Sequence, residues 1–428
     1  MRILIIGNGI AGATAARNIR MRSDHAVTMI SDESWQPFSR TALMYVYMGR
    51  LKLENTYLYE ADFWEKNRIE RILGRVTRIH PNNRTLALAD GRTLPFDCLI
   101  LAAGARPNMP GLPGETLGGV QGLYHLHDLE MLEKQTPGIT RAVIVGGGLI
   151  GVELAEMLHA RGIPVTFLVR ESSFWNAALP PAESELVNRH LREYGIDLRL
   201  DTTVREFVGD EHGRVRAAIT SAGETILCNF VGLTVGVRPN IAFLRNSGIE
   251  CAQGVLADAF LETNIPGIFA IGDCAELRRP EPGRKAIEAT WYAGRKMGET
   301  VAATVCGEKT AYQPGLWFNS AKFFDIEYQV YGEAPAQIPP TTASLHWEHP
   351  GGKKSIRIYF DRHRGAVTGF LLLGVRYRQA VCEKWIQEKT SIETVLQRLS
   401  AANFDPEFSR RYEGELTKQY DHFCASKG

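Results

Sequence analysis

Ile3-Leu4-Ile5-Ile6-Gly7-Asn8-Gly9-Ile10-Ala11-Gly12 opens the chain with an apolar run that breaks into three spaced glycines and continues into a helix-like segment. A short continuous apolar run reads as a buried strand. Gly-x-Gly-x-x-Gly directly behind it places a tight turn between that strand and a helix. The first glycine permits the turn, the second lets the backbone approach a pyrophosphate, and the third lets helix and strand pack closely. The N-terminus of the helix then faces the phosphates with its free N–H groups and the positive end of its dipole.

The pattern occurs twice. Val143-Ile144-Val145 is followed by Gly146-Gly147-Gly148-Leu149-Ile150-Gly151. A single copy would be weak evidence in a chain with 41 glycines. Two copies, each between a strand-like run and a helix-like segment, have the context that gives the pattern its meaning. Two such turns imply two dinucleotides, and the simplest chemistry between two dinucleotides is hydride transfer.

Bulk properties narrow the class. A length of 428 residues suggests about three domains at about 150 residues each. With 44% hydrophobic and 23% charged residues, the chain can build a substantial core. Lys plus Arg number 49 and Asp plus Glu 48, so the balance gives no ground for nucleic acid or membrane-surface binding. No stretch approaches the roughly 20 apolar residues of a membrane span. The chain opens on a strand rather than on a charged leader, so a cytoplasmic protein is expected. The cysteines at 98, 228, 251, 274, 306, 382 and 424 form no C-x-x-C pair. That argues against a local redox dithiol and against a short-spaced zinc or iron–sulfur ligand set, and no metal site is expected.

The organisation expected is α/β, with two Rossmann-like dinucleotide-binding domains and a smaller C-terminal α+β domain. Residues 1–112 and 233–310 form the first nucleotide domain, 113–232 the second, and 311–428 the C-terminal domain with a helix-prone tail. Val27 to Ile30 and Cys98 to Leu101 are further strands of the first domain, and Thr85 to Leu88 before Asp90-Gly91 reads as a hairpin. Ser355-Ile356-Arg357-Ile358-Tyr359-Phe360 alternates with period two in the C-terminal domain.

The acid that binds the ribose is expected about 20 residues beyond the glycines. Asp32 and Glu33 both qualify in the first domain, and the end of the strand favours Glu33. In the second domain the strand Val165 to Val169 ends in Arg170. An arginine there accommodates the 2′-phosphate of NADP, which favours NADPH, although Glu171 follows at once.

These motifs together resemble the FAD-dependent pyridine nucleotide-disulfide oxidoreductases of glutathione-reductase-type fold. Within them the chain is most similar to the ferredoxin and rubredoxin reductases and to the flavin part of NAD(P)H nitrite reductases. Pro37-Phe38-Ser39-Arg40-Thr41-Ala42-Leu43 resembles the segment whose arginine contacts FAD, and Leu101 to Pro107 the family's Ala-Thr-Gly segment. Val235 to Asn240 resembles the second crossover, and Thr263 to Asp273 the second FAD motif, whose aspartate holds the ribityl chain. The resemblance implies FAD and NAD(P)H as cofactors. It implies cofactor contacts at Gly7, Gly9, Gly12, Glu33, Arg40, Val76, Ala103, Gly104, Gly272, Asp273, Gly146, Gly148, Gly151, Arg170 and Gly236.

Departures from the family shape the expected mechanism. The segment Ser39 to Tyr45 holds no cysteine where disulfide reductases carry a pair. Thr41 cannot replace a thiolate, so disulfide reductase and thiol peroxidase activity are not expected. The resemblance pairs a lysine near the flavin with a glutamate of the second glycine motif. That glutamate matches Glu153, but the lysine position is Tyr45, whose phenol hydrogen-bonds without forming an ion pair. Glu153 and Tyr45 are the expected catalytic pair, and Lys322 is a cation that could replace the missing charge.

The function implied is hydride transfer from NAD(P)H to flavin, then electron transfer to a small redox protein of ferredoxin or rubredoxin type. Arg278, Arg279, Arg284 and Arg295 are candidates for docking an acidic partner. An electron-input subunit of a larger reductase and a flavin-based redox sensor are the alternatives. The resemblance leaves the oligomeric state open, a homodimer included.

Overall fold

A computed structural model describes residues 1–405, 407 and 410–425. They form two compact units, each assembled from separate stretches of chain. The first comprises Met1–Pro110, Gln121–Gly138 and Val235–Pro314; the second comprises Gly111–Val120, Ile139–Thr234 and the chain from Gly315 onward.

The first unit is centred on a five-stranded sheet. Its order is Ile268–Ala270, Cys98–Leu101, Arg2–Ile6, Ala26–Ser31 and Ile69–Leu73, and every pairing is parallel. A parallel sheet is covered on both faces, and Ile3, Ile5, Leu99 and Ile100 are fully buried. Small residues allow the helices to pack tightly. A β-carbon at Gly298, in the helix Trp291–Val305, would lie 2.6 Å from the Ala11 carbonyl oxygen in the helix Ile10–Arg22. The expected hairpin is present, with Thr85–Leu88 antiparallel to Thr93–Pro95. The strand Val76–His80 completes its three-stranded sheet.

The second unit repeats the plan. Asp197–Arg199, Val165–Leu168, Ala142–Val145 and Phe230–Leu233 pair in parallel, in that order. In each unit the glycine turn leaves the carboxyl end of a central strand, at the point where the order of the strands reverses. That is the crevice where α/β sheets bind ligands. The two turns are hydrogen-bonded alike: the Gly7 amide donates to the Ile30 carbonyl at 2.7 Å, and the Gly146 amide to the Leu168 carbonyl at 3.0 Å. Counting onward from those carbonyls matches Asp32 with Arg170 and Glu33 with Glu171.

The segment 121–138 lies in the first unit, whereas the sequence boundary at 113 groups it with the second nucleotide domain. Two contacts hold it there. The Leu126 amide donates to Glu33 at 2.7 Å, and the buried Tyr47 hydroxyl donates to Thr136 at 2.7 Å.

The C-terminal residues of the second unit build a five-stranded antiparallel sheet. Its order is Phe318–Phe323, Ile326–Gly332, Val367–Leu373, Ser355–Asp361 and Thr342–Glu348. The period-two alternation of Ser355 to Phe360 suggests one solvated face, yet the six residues from Ser355 to Phe360 are all buried. Arg357 is the one charged residue of that buried run. It turns inward and makes a bidentate pair with the fully buried Glu183 of the helix Pro181–Glu193, at 2.8 and 3.0 Å. The helix Glu413–Ala425 lies against the edge strand Thr342–Glu348, where the Trp347 indole donates to Glu415 at 2.8 Å. The described part of the helix-prone tail is therefore packed on its own unit, and 406, 408–409 and 426–428 lie outside the described residues. Among the described residues no helix is long and apolar enough to cross a membrane.

Candidate cofactor sites

Each glycine of the two turns meets a different steric demand. Gly7 and Gly146 have φ of +105° and +117°, a region that only glycine enters readily. A β-carbon at Gly12 would overlap the Gly7 carbonyl oxygen. One at Gly151 would lie 2.9 Å from both the Phe167 ring and the Thr234 hydroxyl. At Gly9 and Gly148 a β-carbon would meet nothing within 4 Å. These are the N-caps of the helices Ile10–Arg22 and Leu149–His159, and neither helix has a side-chain cap. The first amides of both helices therefore lack a side-chain cap, and the space beside each cap glycine is empty, as a bound pyrophosphate requires. The residues fit two dinucleotides, one in each unit.

Around the first turn the structure gathers Glu33, Arg40, Gly104 and Asp273. Arg40 grips Glu33 with two hydrogen bonds of 2.8 and 2.7 Å and donates to the Tyr124 carbonyl at 2.6 Å. Burial pushes the Glu33 carboxyl up, but hydrogen bonds from Arg40, His125 and the Leu126 amide outweigh it and hold Glu33 well below the usual range. Asp32, the other candidate, turns to the surface and pairs with Arg75 at 3.1 Å.

Asp273 sits at the far side of this site, next to the positive-φ Gly272. Burial raises its carboxyl above the ordinary value, against a hydrogen bond from Tyr124 and the charge of Arg40. Tyr124 joins the parts and is the residue that sequence reasoning misses. Its hydroxyl donates to Asp273 at 2.9 Å and accepts from the Ala105 amide at 3.1 Å, and its ring lies 4.6 Å from the Arg40 guanidinium carbon. It stands just past a Pro/Gly-rich linker, and no local motif marks it.

The remaining expected contacts are spread through the first unit. The Ala103 carbonyl accepts from the Asn240 side chain at 3.3 Å, and the Gly104 carbonyl from the Asn240 amide at 3.0 Å. The Gly236 carbonyl accepts from the Asn108 amide at 3.0 Å, where Val237–Pro239 pairs antiparallel with Ala105–Pro107. Val76 is buried at the start of its strand. Tyr45 lies on the short helix Leu43–Tyr47 and is half-buried.

In the second unit Glu153 is half-buried on the helix Leu149–His159. Burial, and then the charge of Glu156, push its carboxyl up to about 7, with Lys322 pulling the other way. Glu156 is buried and bonded to Lys322 at 2.5 Å. Glu156 was legible in principle: it is the only other acid in an otherwise apolar helix, three residues from Glu153 and so on the same face. Arg170 is exposed and is bound to Glu171 at 2.7 Å.

The arginine group behaves differently from expectation. Arg278 pairs with Glu250, Arg284 with Glu288 and Arg295 with Glu299. Their charge is locally cancelled; Arg279 alone of the four has no carboxylate partner among the described residues, and a basic docking face is much weakened. The cysteines are all unpaired. Cys98, Cys228 and Cys274 are buried, with burial pushing each thiol up to about 12, so Cys274 beside Asp273 is a packed thiol and not a nucleophile.

Comparison with known proteins agrees with this geometry. The chlorobenzene dioxygenase ferredoxin reductase component of Cupriavidus sp. (strain PS12) is 32% identical over 308 residues, covering 72% of this chain and 74% of that one. The ferredoxin–NAD(+) reductase component of the p-cumate 2,3-dioxygenase system of Pseudomonas putida is 29% identical over 402 residues, covering 93% and 96%. A ferredoxin reductase structure from Rhodopseudomonas palustris superimposes with a TM-score of 0.81 at 24% identity, over 97% of this chain and 99% of that one, and so shares the fold. The family model for pyridine nucleotide-disulphide oxidoreductases matches residues 1–298. Two glycine turns that each leave room for a pyrophosphate, and the match over both, make this chain a member of the pyridine nucleotide-disulphide oxidoreductase family, flavoenzymes that use FAD and NAD(P)H.

Proposed function

We propose that this chain is an FAD-dependent NAD(P)H oxidoreductase that passes electrons to a small redox protein of ferredoxin or rubredoxin type. The observation that carries the reading is the pair of open glycine turns, one in each unit, with no reactive thiol placed to relay electrons. FAD is assigned to the first unit. The amides after Gly9 would hold its pyrophosphate, Glu33 and Arg40 would bind its adenosine side, and Asp273 with Tyr124 would hold its ribityl side. NAD(P)H is assigned to the turn at Gly146 to Gly151, with Glu153 orienting the nicotinamide and Arg170 beside the ribose. Bound flavin supplies the conversion of a two-electron hydride donor into single electrons.

The protein's own part is to bind, to orient and to fix charge. Amides of the two helix N-termini hold phosphates, and Arg40 is kept in one position by Glu33 and the Tyr124 carbonyl. The relatives named above include ferredoxin reductases of dioxygenase systems, which supports a redox-protein acceptor. The seven unpaired cysteines suit a reducing compartment, and we place the protein in the cytoplasm.

The test is turnover of NADH and NADPH with a panel of ferredoxins and rubredoxins against dioxygen and small quinones. Preferred turnover with one redox protein supports the reading. Equal or faster turnover with dioxygen alone overturns the acceptor class.

A further inference from the structure

Glu153 and Glu156 stand three residues apart on one face of the helix Leu149–His159, and Lys322 reaches Glu156 from the strand Phe318–Phe323. The cluster holds two carboxyls and one ammonium. Lys322 bonds Glu156 at 2.5 Å through one carboxylate oxygen, and the other oxygen of Glu156 is buried without a hydrogen-bond partner. Glu156 is 5% exposed, so its charge cannot be left to water and is held by Lys322. Beyond these three, the Tyr194 phenol feels the Glu156 charge and lies 5.6 Å from the ring of His159, which ends the same helix. The strands Ala142–Val145, Val165–Leu168 and Phe230–Leu233, packed on the same helix, carry no ionisable side chain, and Phe318–Phe323 carries only Lys322. The Glu156 charge, three residues away on the same helix, adds to burial in raising Glu153, and Lys322 opposes both.

We propose that Lys322 is a positioning residue which, through Glu156, sets the charge with which Glu153 meets the nicotinamide, so that one proton on this cluster decides how strongly the site prefers oxidised over reduced dinucleotide. This rests on the reading of the Gly146 turn as the NAD(P) site. The oxidised nicotinamide ring carries a positive charge and the reduced ring carries none. Ionised Glu153 therefore favours the oxidised form by direct attraction, and protonated Glu153 does not. Binding of the oxidised dinucleotide to the protonated cluster releases one proton, and binding of the reduced form does not.

The pH at which the preference changes follows from the raised carboxyl of Glu153, near 7. Removing the cation must move that midpoint up, because the Lys322 charge is what pulls the Glu153 carboxyl down against burial and Glu156. Removing the Glu156 charge must move it down. The sequence pattern does not place a lysine of the C-terminal sheet on this helix, and the structure does.

The experiment uses the holoenzyme with glutamate labelled at its side-chain carboxyl carbon. Carboxyl NMR from pH 5.5 to 9 identifies Glu153 as the signal lost in E153Q. Affinities for NAD+ and NADH are measured over the same range. In wild type and in K322R the Glu153 signal titrates near 7, and NAD+ binds several-fold more tightly above that pH than below it, with little change for NADH. K322Q raises the midpoint by about one unit or more, E156Q lowers it, and E153Q abolishes the pH dependence of NAD+ affinity. K322R keeps the charge and shows that a shift in K322Q is not a folding defect. An unchanged Glu153 midpoint in K322Q overturns the role of Lys322 while leaving the NAD(P) site intact. No binding of either dinucleotide by wild type at any pH overturns the site itself, and the proposal with it.

Discussion

The Tyr124 hydroxyl donates to the Asp273 carboxylate across 149 residues of sequence, at 2.9 Å. The same oxygen accepts from the Ala105 amide. One phenol therefore ties the Asp273 carboxylate to the backbone that follows the strand Cys98–Leu101. The consequence is testable. In Y124F the ring and its stacking on Arg40 survive, and only the hydroxyl goes. Both its bonds, to Asp273 and from the Ala105 amide, are lost; a hydrogen bond to a charged, buried group is worth about 1–3 kcal/mol, so retention of FAD should weaken by roughly five- to 150-fold. Dialysis against apoprotein-stabilising buffer, followed by flavin absorbance, reads this directly. Full FAD retention in Y124F would show that Tyr124 is only a packing residue.

The glycine turns separate folding from binding. Gly12 is closed off by the Gly7 carbonyl, whereas Gly9 and Gly148 face open space. G12A should lose the fold, because the overlap is with backbone and cannot be relieved by a rotamer. G9A and G148A should fold with melting temperatures close to wild type. G9A should be colourless. G148A should remain yellow but resist reduction by NAD(P)H. If G148A loses its flavin, or G9A keeps it, the assignment of the two dinucleotides is reversed.

Arg170 and Glu171 stand in the register of Asp32 and Glu33, and they are bound to each other. An arginine held by its neighbour is less available to a 2′-phosphate. E171Q releases it and should shift the ratio of kcat/KM for NADPH over NADH upward by about tenfold, while R170A should lower it. An exposed pair is worth little to stability, so both variants should melt as wild type does. A ratio that neither substitution moves would remove Arg170 from the cofactor site.

Arg357 and Glu183 form a buried pair with a hydrogen bond from Arg357 to Ser344 as support. Removing one member leaves a charge in the interior, which costs about 3–5 kcal/mol. R357M should lower the denaturation free energy by that amount, and R357M/E183L should recover most of it. Equal loss in the single and double variants would mean that shape, not charge, governs the site.

Much of the architecture is legible in the chain because its signals are local. An apolar run, three glycines and a helix follow one another at Ile3 to Gly12 and again at Val143 to Gly151, and each step has a short-range physical cause. The acid at Glu33 is readable from its distance to the glycines, and the hairpin from Asp90-Gly91. The signals fail where burial comes from distant chain. Arg357 sits in an alternating run that suggests an exposed face, but the helix Pro181–Glu193 covers that face and supplies Glu183. Tyr124 acts through Asp273 and Arg40, neither of them near in sequence. The arginines from 278 to 295 look like a basic patch in one dimension, and the structure gives three of them a carboxylate each.

In the proposed function, reducing equivalents pass from a dinucleotide at Gly146 to Gly151 to a flavin at Gly7 to Gly12. Anaerobic stopped-flow reduction of the purified protein by NADH and by NADPH, followed at the flavin band, tests it most directly. The account predicts a yellow protein whose flavin band bleaches fast with at least one of the two donors, and whose bleaching is lost in G148A. A protein that binds flavin but is reduced by neither donor would contradict it.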